Sequence, residues 1–162
     1  MTAIYSILSF ILILLPLLIL HEFGHYFSAK FFKIKVLEFG FGFPPKLFSY
    51  WSSRKKIYFD KNNFDFSELE GKTIFVTTSF ENNKEFILEY YASSKESFSS
   101  KLENYQVKID KVENGALLIR DMQWSFNLLP LGGFVRPFGE DNSKHPDSFY
   151  VKNAFQLSLI HI

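Results

Sequence analysis

The longest feature in the pattern of the chain is an apolar run at its front. Ala3 to Leu20 is an unbroken succession of Ile, Leu, Phe, Tyr and small residues, and no charged side chain occurs between Met1 and Leu20. A run of roughly 18 or more such residues predicts a membrane-crossing helix. A secretory leader would need a basic start and a small-residue cleavage site. Here no Lys or Arg precedes the run, and it continues into His21-Glu22-Phe23-Gly24-His25-Tyr26. Ile4 to His21 covers about 26 Å at 1.5 Å per residue. The bilayer's hydrocarbon core is ~30 Å thick, so His21 is expected within it, near one face. Pro16 removes one helical hydrogen bond, and a kink is expected there. Lys30, Lys33, Lys35 and Lys46 follow the run closely, which predicts an N-terminus outside and the following chain in the cytoplasm.

Beyond the helix the period changes. Phe39, Phe41 and Phe43 alternate with Gly40 and Gly42, which predicts an extended segment ending at Pro44-Pro45. It is apolar for a loop, and either touches the membrane surface or forms an ordinary hairpin core. Residues 51–122 carry 11 basic and 12 acidic residues. Short apolar or alternating runs at Thr73–Ser79, Phe86–Tyr91, Tyr105–Ile109 and Ala116–Ile119 are separated by turn signals at Glu81-Asn82-Asn83-Lys84 and Glu113-Asn114-Gly115. This pattern predicts a small β-rich soluble insert, with Ser93–Ser100 as a polar loop. Leu128–Phe138 is again apolar and contains Gly132-Gly133, which permit close backbone approach. His145, beside Pro146, reads as a surface residue.

Charge and composition narrow the chemistry. A net charge of +1 argues against a nucleic-acid binder, which needs a basic stripe for phosphates. The chain has no cysteine, so any metal must be held by His, Asp or Glu. His21 and His25 stand four apart, which puts both imidazoles on one helix face. That spacing suits two nitrogen ligands of one Zn²⁺, with the adjacent Glu22 placed to act as general base on water. One glutamate and two histidines within a membrane helix are costly and functional by default.

Three segments together carry a family resemblance. The helix with His21-Glu22-Phe23-Gly24-His25, the run Phe39-Gly40-Phe41-Gly42-Phe43-Pro44-Pro45-Lys46-Leu47, and Leu129-Pro130-Leu131-Gly132-Gly133-Phe134-Val135-Arg136 occur in the order found in bacterial site-2 proteases. Gly139-Glu140-Asp141 follows as it often does there. The resemblance implies a zinc-dependent intramembrane endopeptidase that cleaves transmembrane segments of other proteins, in the manner of regulated intramembrane proteolysis. It implies His21 and His25 as metal ligands, Glu22 as the catalytic base and Zn²⁺ as cofactor. It also implies that Phe41, Gly42, Phe43, Gly132, Gly133 and Phe134 hold an extended substrate strand. The family's third ligand, an aspartate followed by glycine on a later membrane helix, has no counterpart here and is expected beyond the chain.

The resulting expectation is a membrane α-helical protein with a membrane-associated β-hairpin and a small β-rich soluble insert, α+β overall. Residues 1–32 are the transmembrane helix, 33–50 and 123–141 the hairpin segments, 51–122 the insert, and 142–156 the approach to a second membrane helix. Leu157–Ile162 is expected to be an artefactual tail on a truncated sequence. The expected partners are transmembrane substrates and the lipid bilayer, without nucleic acid, in a multi-pass inner-membrane protein. The competing reading is a membrane-tethered β-rich binding module without catalysis.

Overall fold

A computed structural model describes residues 2–60, 63–91, 104–139 and 145–153. The order is one helix, α1 (Thr2–Phe31), followed by five strands: β1 (Val36–Tyr58), β2 (Thr73–Glu81), β3 (Lys84–Tyr91), β4 (Tyr105–Glu113) and β5 (Ala116–Pro137). The composition is α+β, as the sequence implied. The expected loop Ser93–Ser100, the tail Leu157–Ile162, and residues 142–144 and 154–156 of the approach to a second helix lie outside the described residues.

The helix is one element through Pro16. Its stretch Ile4–Phe31 is long and apolar enough to cross a membrane. Ile4, Leu8, Phe10, Leu12, Ile13, Leu17 and Leu20 are all exposed. They surround the helix on every side, the pattern of a segment whose solvent is not water. The C-terminus closes by a Schellman arrangement: Ile34 N–H donates to the Ala29 carbonyl (2.8 Å) and Lys33 N–H to that of Lys30 (3.1 Å). Lys33 takes the left-handed conformation this closure needs, at φ 54°. Ile34 and Ala29 are then buried in one apolar cluster, which fixes where the chain enters the sheet.

The strands form a closed barrel in the order β1-β3-β2-β4-β5. Local chemistry sets its hairpins. Asn82 and Asn83, at φ 48° and 62°, turn β2 into β3 with Glu81 opposite Lys84. Both central residues have positive φ, the two-residue turn that suits strand twist. Gly115, at φ 84°, brings Ala116 opposite Glu113. All four runs expected from the alternation lie inside strands. Ile57, Ile74, Val76, Ile87, Val107, Ile109, Leu117 and Ile119 fill the barrel.

β1 does not end at Pro44-Pro45, contrary to expectation. It folds back there and continues to Tyr58. Gly42 has φ 74°, and the prolines fall between the paired positions Phe43↔Leu129 and Lys46↔Asn127, so no ladder bond misses their absent N–H. β5 folds back in the same way. Residues 38–41 therefore pair twice. Glu38↔Arg136 to Phe41↔Gly133 runs antiparallel, while Glu38↔Gln123 to Phe41↔Phe126 advances in step, a short parallel stretch within an otherwise antiparallel pair. The leg order is 46–52, 123–127, 38–41, 133–136. Positions 51 and 122, the expected limits of the insert, fall inside β1 and β5.

A buried ionic centre ties the barrel wall to the chain beyond α1. Glu85 lies 2.6 Å from Lys55 Nζ and 3.8 Å from Lys35 Nζ, and accepts hydrogen bonds from Thr78 and Tyr105 at 2.7 Å each. Lys35 also meets Asp121 at 3.0 Å. Burial would raise the Glu85 pKa. The two lysines and the hydrogen bonds outweigh it and hold the carboxyl at about 2. His145 joins this centre instead of lying on the surface: it is 7% exposed, packs on the rings of Phe80 and Phe138, and sits 3.7 Å from Glu85. Burial pushes its pKa down despite that carboxylate.

Glu85→Gln is expected to destabilise the folded chain by about 3 kcal/mol, since buried Lys35 and half-buried Lys55 lose a shared counter-ion. A carboxyl with a depressed folded pKa stabilises above its unfolded value and loses that contribution as pH falls. Wild type should lose stability between about pH 4.5 and pH 2 more steeply than Glu85→Gln, as read by denaturant unfolding across that window.

Candidate active site

Helix geometry spreads the functional residues round α1. At ~100° per residue, Glu22, Tyr26 and Ala29 lie within about 60° of one another, His21 lies about 100° round from Glu22, and His25 falls between His21 and Ala29. The arc from Ala29 through Tyr26 to Phe23 docks on the sheet. Phe23 lies 4.9 Å from Phe39 and 6.3 Å from Phe41, ring centre to ring centre. Tyr26 lies 5.5 Å from Trp124 and 5.9 Å from Phe39. Phe39 is fully enclosed among them. Alternation along β1 and β5 sends Phe39, Phe41, Trp124 and Val135 toward α1.

The other sheet face is polar. Lys46 Nζ donates to Glu38 Oε1 (2.8 Å) and Gln123 Oε1 (2.9 Å), and Gln123 Nε2 donates to Ser49 Oγ (2.9 Å). Burial opposes ionisation of Glu38, but Lys46 and Arg136 hold its pKa below the ordinary value. This ladder stitches three legs of the folded-back sheet. Sequence reading missed it, because Lys46 and Gln123 are 77 positions apart.

The docking sets the motif. His21 Nε2 and His25 Nε2 converge to 3.0 Å, with the rings edge to face at 4.6 Å. Two nitrogens on a tetrahedral zinc at ~2.0–2.1 Å would stand about 3.3 Å apart, so this donor pair fits the metal as two of its ligands. Among the described residues, no group of three or more His, Cys, Asp or Glu gathers to complete a site. Glu22 is partly buried on the sheet side, and its Cγ lies 3.3 Å from where a Cβ on Gly133 would stand.

The six candidate substrate-binding residues divide as well. Phe41 pairs with Gly133, and the Phe43 ring and Leu18 flank Gly132. Gly42 lies tight against the Leu129 carbonyl, and Asn127 Nδ2 donates to the Gly42 oxygen (3.0 Å). Phe134 instead covers Gly40 on the face away from α1. Phe43, Leu47, Phe48, Leu128, Leu129 and Leu131 are exposed at or beside the two fold-back tips.

Residues 9–59, which span the motif and β1, match the model of peptidase family M50. The chain is 58% identical over 160 residues, 95% of its length, to a Thermotoga maritima protein described as "Putative zinc metalloprotease". Proteins of the same description from Streptococcus pyogenes serotypes M3 and M6 are each 44% identical over 53 residues, a third of this chain. The alignments cover 19% of the Thermotoga protein and 13% of each streptococcal one, so the chain spans less than a fifth of the length of these curated relatives.

Phe39→Ala is expected to cost about 3–5 kcal/mol, the range for emptying a buried aromatic site. Phe48→Ala, at an exposed ring, should cost far less. Unfolding in detergent followed by tryptophan emission compares the two, with Trp124 reporting the helix–sheet contact directly.

Proposed function

We propose that this chain is the N-terminal part of a zinc-dependent intramembrane endopeptidase that cleaves transmembrane segments of membrane proteins, of the regulated intramembrane proteolysis type. The observation that carries the reading is the pair of imidazole nitrogens 3.0 Å apart on an apolar helix. The family match over this stretch supports it.

His21 and His25 would hold the zinc through Nε2, with a third ligand from elsewhere in the whole protein. When bound, the ion supplies Lewis-acid polarisation of the scissile carbonyl and makes water more acidic. Glu22 takes the proton from the attacking water and passes it to the leaving amine. Residues 133–136 pair with 38–41 along one edge. Their other edge can take an extended peptide by strand addition, which supplies backbone hydrogen bonds without strong side-chain choice. Such pairing suits a substrate that must leave its helix before its peptide bond is reachable. Of the six candidate residues, Phe41, Gly132 and Gly133 border this path on the α1 side, while Phe134 braces it from behind. The exposed tips around Phe43 and Leu129 lie beside α1 and fit contact with the bilayer. The lysines after the helix favour an N-terminus outside and the barrel in the cytoplasm, within a multi-pass inner-membrane protein.

In the full-length protein, Glu22→Gln should retain zinc while lowering cleavage of a transmembrane substrate by ~10²–10⁴. Metal analysis beside a cleavage assay checks both halves. Undiminished cleavage by Glu22→Gln would refute the catalytic assignment and favour a membrane-tethered binding module.

A further inference from the structure

Gly133 lies outside the metal motif, more than a hundred residues along the chain, yet it is in contact with the motif's glutamate. A Cβ built on it would stand 3.3 Å from Glu22 Cγ and 2.7 Å from the Gly40 carbonyl oxygen. The first distance is tighter than an ordinary carbon contact, and the second is an overlap with backbone, which cannot rotate away. Its backbone is not in the left-handed region, unlike that of Gly132 at φ 96°. The requirement for glycine here is therefore one of space, not of conformation. Gly24, inside the motif, has nothing within 4 Å of its Cβ position, so the steric demand falls on the strand and not on the helix.

We propose that Gly133 is a positioning residue for Glu22: its missing side chain forms the seat against which the first methylenes of the glutamate rest. The inference deepens the protease reading and rests on it. Three observations converge on the seat. Glu22 is partly buried, on the helix arc that holds the sheet-packed Tyr26 and Ala29. Leu18, one turn earlier on the same side, lies 3.7 Å from the Cβ position of Gly132, so consecutive glycines meet consecutive turns of α1. Phe41, opposite Gly133, packs on Phe23 of α1 and keeps strand and helix in register. A carboxylate on two flexible methylenes samples several rotamers in the open. Pressed against the strand backbone, it is restricted to those that direct its oxygens along the helix flank, toward the edge where an added substrate strand would lie. A displacement near 1 Å in such a group can cost ~10²-fold in rate.

Gly133→Ala in the full-length protein should lower kcat by about 10- to 100-fold while zinc content holds, because the metal ligands His21 and His25 are untouched and the base is displaced from its working position. A second readout needs no catalysis. The loss of Tm caused by Gly133→Ala should be smaller in a Glu22→Ala background, where the methylenes it strikes are gone. Gly40→Ala serves as the contrast. Its Cβ would overlap the Phe134 ring on the opposite sheet face, so it disturbs the same strand pair without touching Glu22. Its Tm loss should be the same with and without Glu22→Ala. Should Gly133→Ala fail to fold, the Glu22→Ala, Gly133→Ala double variant must be the more stable of the two. Equal Tm losses in both backgrounds, or a wild-type kcat in Gly133→Ala, overturn the inference. A fully active Glu22→Gln overturns the protease reading beneath it, and with it any base to be positioned.

Discussion

The contact on which the rest of this architecture depends is the seating of α1 on the aromatic face of the β1–β5 sheet, centred on the buried ring of Phe39. A lone apolar helix has no preferred rotation about its axis. Once Phe23, Tyr26 and Ala29 are committed to the sheet, the rotation is fixed, and the chemistry of the motif follows. The histidines must project from a different side, where their nitrogens converge. The glutamate must lie at the border, against the strand backbone. An HExxH motif therefore gains a division of labour from its helical period alone, provided one face is docked.

The sheet can serve as a dock because both its long strands fold back on themselves. Polar groups on one face lock three legs together, through Lys46, Glu38, Gln123 and Ser49. The opposite face is left to aromatic rings: Phe41, Phe126 and Phe48 stack at 4.8 and 4.5 Å, continuing outward from the α1 contact. Two chemically distinct faces on one small sheet allow it to seat an apolar helix on one side and carry a polar ladder on the other. At the far end of the dock, the Glu85, Lys35 and Asp121 centre anchors the residues that leave α1, so the helix is held at both its flank and its exit.

What was legible in the sequence was local. The helix, the His21/Glu22/His25 spacing, four strand runs and the turns at Asn82-Asn83 and Asn114-Gly115 depend on residues within a few positions of one another, and each was recoverable from period and turn chemistry. What was not legible depends on partners far along the chain. Pro44-Pro45 reads as a stop because a proline's missing N–H ends an ordinary ladder. Only the fold-back against Leu129 and Asn127 makes that position harmless. His145 reads as exposed because its neighbours in sequence are polar, while the rings that bury it come from Phe80 and Phe138. Gly133 reads as permitting close backbone approach, but what approaches it, Glu22 of α1 and the Gly40 carbonyl, comes from far along the chain.

If His21 and His25 are paired on α1 to hold a metal, X-ray absorption at the zinc edge of the full-length protein should show a first shell containing two imidazole nitrogens at ~2.0–2.1 Å with oxygen completing it. The imidazole signal should vanish when both histidines are replaced by alanine. An unchanged imidazole shell in that double variant, or a wild-type zinc shell without imidazole, would rule the pairing out.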